Sequence, residues 1–165
     1  VMFKKVILII SLISISSVMA FSATTGNLII SGTVPEILEI TVTAAAGSTT
    51  LDLTQNVTDM HIGDVVERSN VIAGYTVTIS SANAASGTPH FKGSSPANTD
   101  TLEYTLKYDG TLIALGSGAA EISNVNSKTA TTGSSKSIEL SYDGSGDFLN
   151  SDTYSDTLTF TIAAK

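Results

Sequence analysis

The chain has 165 residues, with fifteen Asp and Glu against eight Lys and Arg, no Cys and no Trp. The lack of cysteine excludes disulfides and thiolate metal sites, and a formal charge of −7 disfavours a nucleic-acid partner, because phosphate binding needs a basic face. Ser, Thr, Gly, Ala, Val and Ile dominate while Pro is scarce, a composition that favours pleated, half-buried strands over helices.

At the N-terminus, Lys4 and Lys5 precede the apolar run Val6 to Ile15, and Ser16-Ser17-Val18-Met19-Ala20 follows. This is the pattern of a secretory signal peptide. The run is too short for a membrane-spanning helix, which needs about 20 residues. The small side chains of Val18 and Ala20 predict cleavage after Ala20, with Ser22 as the second position. The mature chain then begins at Phe21 and carries six basic against fifteen acidic residues, a formal charge of −9. It is expected to be exported through the inner membrane and not to span a membrane once mature. Its acidic side chains are scattered singly, as on a solvated surface.

The next segment, Leu28-Ile29-Ile30-Ser31-Gly32-Thr33-Val34, alternates with Leu28, Ile30, Gly32 and Val34 on one face. Pro35 follows at once, and then a second strand-like run from Glu36 to Thr43. A single residue cannot close a hairpin, whose loops usually hold at least two, and Pro35 lacks the donor a ladder needs. Residues 27–34 are therefore expected to pair with the other sheet of their own sandwich or with another chain, and not with 36–43.

Further strands are predicted at 50–54, 70–80, 101–108, 111–115, 119–125, 136–142 and 154–162. In the clearest, Leu102, Tyr104, Leu106 and Tyr108 share one face and Thr101, Glu103, Thr105 and Lys107 the other. Tyr75, Val77 and Ile79 form a second such face, and Tyr154, Leu158, Phe160 and Ile162 a third. Asp109-Gly110 between two alternating runs predicts a tight hairpin. Residues 81–100 show no period and read as a long loop. Many short strands with frequent turns point to a sandwich or a barrel in one domain.

No residue set points to catalysis. His61 and His90 lack the spacing of a triad or a metal site, and no Gly-x-Ser-x-Gly elbow occurs. Asp143-Gly144-Ser145-Gly146-Asp147 with Asn150 and Asp152 offers oxygen ligands but lacks the ordered positions of an EF-hand, and a turn explains the same residues. Asn56-Val57-Thr58 matches the short glycosylation acceptor pattern. Neither a cofactor nor a bound metal is expected.

The leader, the early Asn-Leu-Ile-Ile-Ser-Gly-Thr-Val-Pro segment, the Ser/Thr-rich strands and the closing Thr153-Tyr154-Ser155-Asp156-Thr157-Leu158-Thr159-Phe160-Thr161-Ile162 together resemble chaperone-usher fimbrial pilins, most closely the alpha-type, colonisation-factor fimbriae. The resemblance implies an immunoglobulin-like β-sandwich over 36–165, with 21–35 as a donor-like strand. In that family the N-terminal strand completes the sandwich of the next subunit, which would make Leu28, Ile30, Gly32 and Val34 the groove-filling positions. It implies a fimbrial subunit that supports adhesion. Implied partners are further copies in a head-to-tail polymer, a periplasmic chaperone and an outer-membrane usher, and the implied location is the cell surface or periplasm. The alternative is a monomeric secreted or surface β-sandwich module that binds carbohydrate or protein, with loop 81–100 as its contact surface.

Overall fold

The computed structural model describes residues 23–84 and 87–165; the leader and both expected cleavage positions lie outside them. The chain divides between Thr33 and Val34, and the two parts are taken separately. Residues 23–33 contain no strand, and Leu28, Ile29 and Ile30 are exposed.

From Val34 onward the chain is all-β. The strands are β1 (Leu38–Ala44), β2 (Asn56–Ser69), β3 (Tyr75–Ser81), β4 (His90–Gly93), β5 (Thr101–Tyr108), β6 (Thr111–Ile113), β7 (Ala120–Val125), β8 (Ser134–Asp143), β9 (Tyr154–Ser155) and β10 (Leu158–Ala164). One sheet runs β1-β2-β8-β5-β4-β9, with β6 hairpinned onto β5, and a smaller one runs β10-β3-β7. Every ladder is antiparallel. The inner faces share one core, in which Val65, Leu102, Tyr104, Leu106, Tyr108, Ile138, Leu140 and Tyr142 from the larger sheet meet Ile79 from the smaller. The arrangement is sandwich-like.

The alternation expected in 101–108 and at Tyr75, Val77 and Ile79 is realised, with all seven of these apolar side chains buried. Asp109 and Gly110 sit at φ 50° and 77°, the two left-handed positions of the tight turn that matches strand twist, and Tyr108 pairs with Thr111 across it.

Several expectations fail for local reasons. The longest strand, β2, is not among those expected: its burial alternates from Ile62 to Ser69, but Gly63, Glu67 and Ser69 share the inward face with Val65. It carries register shifts between Val57 and Met60 and between His61 and Gly63, and Asp59 takes a left-handed φ of 51°, so its apolar positions fall out of step. Residues 50–54 form a turn closed by Asp52, which accepts from the Thr54 backbone and hydroxyl at 3.1 and 2.7 Å. Residues 70–74 are the turn into β3, where Gly74 adopts φ +92° against the Val125 carbonyl and leaves no room for a Cβ. The presumed loop 81–100 contains β4, held between β5 and β9. The expected strand 154–162 breaks at Asp156 and Thr157, and β9 and β10 join different sheets. Asp156 fastens that crossover by accepting from Ser81 Oγ and Tyr104 OH, each at 2.6 Å, and from the Asn83 amide at 3.2 Å.

A buried carboxylate ties the sheets together. Glu67 of β2 is fully buried. It accepts from Tyr108 OH of β5 and Ser123 Oγ of β7, both at 2.6 Å, and from Tyr75 OH of β3 at 2.9 Å. Two of the donors belong to the smaller sheet. Burial and the adjoining carboxylate push the Tyr75 and Tyr108 phenols well above their ordinary range, and burial with Asp156 does the same to Tyr104.

Each hydrogen bond to a charged group contributes about 1.5–3 kcal/mol, and an orphaned buried donor costs about 1–3 kcal/mol. Tyr108→Phe is therefore expected to destabilise by about 2 kcal/mol and Glu67→Ala, which orphans three hydroxyls, by about 3–5 kcal/mol, read by chemical denaturation. The raised phenols set an alkaline limit. Their stabilising effect is complete below the free-tyrosine value near 10 and is lost as pH climbs toward the folded values. Spectrophotometric titration is expected to show Tyr75, Tyr104 and Tyr108 ionising together with unfolding, not before it.

Candidate functional site: an open pair of strand edges

A sheet edge presents unpaired N–H and C=O groups, and stable proteins blunt such edges by shortness, bulges or charge. Three edges here are blunted. β9 has two residues and β6 three, while β7 carries Glu121 and a register shift opposite Val77 and Thr78. β1 and β10 are not. Each has seven residues paired on one side only, in ladders with no register shift. β10 contains no charged residue and β1 only Glu39.

These two edges belong to different sheets yet run alongside each other without a ladder between them. Their inward residues are incompletely covered. Leu38 and Ile40 on β1, and Leu158, Phe160 and Ile162 on β10, are only half-buried, and Val42 is 49% exposed. The same alternation in β3 and β5 is buried. The difference lies in covering atoms: each central strand has neighbours on both sides, and these two have one. The site is therefore a pair of adjoining strand edges, each with one row of unpaired backbone donors and acceptors beside half-buried apolar side chains.

The sequence-predicted positions are Leu28, Ile30, Gly32 and Val34. Leu28, Ile30 and Val34 are 86%, 87% and 84% exposed, and a Cβ at Gly32 would meet nothing within 4 Å. No strand partner for 23–34 occurs among the described residues. Just beyond them, Asn70 fixes the chain leading into β1. Its Nδ2 donates to the Pro35 carbonyl at 2.9 Å, its Oδ1 accepts from the Ile37 amide at 2.8 Å, and its own amide donates to the Ile37 carbonyl at 3.1 Å. Reading the sequence alone missed Asn70; the Asn-Val-Ile-Ala-Gly turn was the available signal.

The polar clusters weighed for chemistry do not converge. His61 Nε2 stands 3.2 Å from Asp64, and His90 Nδ1 3.0 Å from the Thr88 carbonyl. Asp143 closes its own turn by accepting from the amide and hydroxyl of Ser145. Asp152 serves a different purpose, accepting from Ser94 Oγ at 2.6 Å, the Ser95 amide at 2.9 Å and Asn98 Nδ2 at 3.0 Å. Asn150 ties into the same junction through Asp100 and Asn98. Among the described residues no three His, Asp or Glu side chains are grouped as metal ligands. No helix among them is long and apolar enough to cross a membrane.

No protein-family model matches the sequence, and no curated protein matches it either.

The donors around Asp152, Ser94 first and then Asn98 and the Ser95 amide, hold its carboxyl well below the usual aspartate range. Its contribution to stability is complete above the ordinary value near 4 and is lost as pH falls from there toward the depressed folded value. Asp152→Asn is expected to flatten this acid limb, measured as the unfolding midpoint against pH, and above pH 6 to lower stability by an amount that does not change with pH.

Proposed function

We propose that this chain is the structural subunit of a surface fimbria or filament, assembled when residues 28–34 of one copy insert between β1 and β10 of the next. The single observation that carries the reading is the pair of unblunted, one-sided edges flanking half-buried apolar side chains. An added strand satisfies both requirements at once. Its backbone supplies the ladder, and its alternate side chains cover the core.

The dimensions agree. Leu28 to Val34 is seven residues, the length of both β1 and β10, and spans about 20 Å when extended. Leu28, Ile30 and Val34 supply the apolar volume, each contributing roughly 1.5–3 kcal/mol if fully buried. Gly32 lets the backbones approach closely. Because the inserting surface and the groove are different patches, the contact is head-to-tail and yields open filaments. In this reading the sandwich is the immunoglobulin-like fold of chaperone-usher pilins, lacking one strand of its own. A periplasmic chaperone and an outer-membrane usher would guard and deliver the groove, and the cell surface would be its destination. Catalysis has no part in it.

The test is polymer formation by the mature chain. Ladders that survive SDS at room temperature and collapse on boiling are expected, and both deletion of residues 21–34 and Ile30→Asp should abolish them. Unchanged ladders in the deletion would overturn the reading. A parent chain that stays monomeric and unfolds cooperatively by itself would favour the binding-module alternative.

A further inference from the structure

The two ends of the β-domain differ in shape and charge. At the end where β10 begins, the turn 48–54 and the segment 147–156 enclose a cleft of about 710 Å³. Leu51, Leu53, Phe91 and Leu149 give it an apolar lining, and Phe148 stands fully exposed at its rim. Asp52, Asp147, Asp152 and Asp156 also line it, and no Lys or Arg does. At the opposite end, the turn between β2 and β3 presents Ile72, 88% exposed. The backbone at Thr129, next to Lys128, and at Lys165 borders that turn, and Lys165 Nζ donates to Asn124 and Asn126. Thr129 donates its amide to the Ser69 carbonyl, and Lys165 donates its amide to Gly74. Neither lysine forms an ion pair among the described residues.

We propose that the acidic cleft receives the Ile72 turn of the adjacent copy, forming a second, end-to-end contact in the filament. The inference rests on the strand-insertion reading and deepens it. A strand added antiparallel to β10, and so parallel to β1, finishes at its Val34 beside Leu158. That is the end of the groove next to Asp156 and the cleft. The donating copy continues from Val34 through Pro35 to Ile37, and Asn70 holds these residues against its own β2–β3 turn. Its Ile72 end is therefore delivered to its neighbour's acidic end. An apolar knob near two lysines meets an apolar cleft ringed by aspartates, and the opposite polarity would set lysines against lysines. The contact limits rotation about the short linker, so insertion yields a stiff filament and not a string of loosely tethered beads.

The absence of cysteine makes disulfide trapping direct. β2, with fourteen residues, separates the two ends by roughly 45 Å, whereas a disulfide needs Cα atoms within about 7 Å. A chain carrying both Ile72→Cys and Phe148→Cys can link only to another copy. The mature double variant, polymerised, oxidised and boiled in SDS without reductant, is expected to give a covalent ladder. The control pair Leu112→Cys with Phe148→Cys is expected to give several-fold less, since the exposed Leu112 lies on the β5–β6 hairpin. Raising the salt during assembly should lower the 72–148 yield several-fold. Boiling-sensitive ladders that require residues 21–34 but show no 72–148 linkage would overturn the end contact and leave strand insertion standing. Equal linkage in the control would also overturn it. Ladders that persist without residues 21–34, or no ladders from the parent chain, would remove both readings.

Discussion

The Glu67 carboxylate sets the terms on which the two sheets meet. Removing a carboxylate from water costs several kcal/mol, and only well-placed donors offset that cost. Here the offset comes from three hydroxyls on three other strands, two of them in the facing sheet. A sheet that slid or rotated over its partner would leave the charge buried and unpaired. The apolar core resists separation of the sheets but is indifferent to small slips; the Glu67 cluster penalises the slips. In a chain without cysteine, this directional contact does the positioning that a disulfide could otherwise supply.

The edges of the two sheets follow from that alignment. With β2 and β3 pinned through Glu67 and Tyr75, the strands outside them, β1 and β10, lie next to each other at the margin of the core. Their inward residues are chosen for a covered site, with Leu38, Ile40, Leu158, Phe160 and Ile162 at alternate positions. They remain half-covered because no strand lies between them. The edges β6, β7 and β9 are blunted by shortness, charge or a register shift, whereas β1 and β10 are not.

The junction around Asp152 and Asp156 completes the opposite end. These aspartates accept from both loop and strand donors and fasten the step by which the chain passes from one sheet to the other. The same residues leave a negatively charged, apolar-floored cleft. Structural anchoring and surface character here come from one set of side chains.

Alternation made β3, β5, β8 and the Asp109-Gly110 hairpin legible in the sequence, because a half-buried strand of regular pleat must place apolar residues at every second position. β2 was not legible. Its bulges interrupt the period, and one of its two fully buried side chains is a glutamate whose partners lie 8, 41 and 56 residues away. The alternation of Leu28, Ile30, Gly32 and Val34 was visible as a segment with no permissible local partner, whereas the one-sided edges of β1 and β10 were not. Whether an apolar strand is covered on one side or both depends on which strands stand beside it, and that is a property of long-range pairing. The amino-acid sequence by itself determined the all-β class, the absence of covalent cross-links and the unpartnered N-terminal segment, all of which follow from local composition and period. Only the tertiary structure decided that β1 and β10 would be the neighbouring open edges, because closure of a sheet is settled by contacts between residues more than a hundred positions apart.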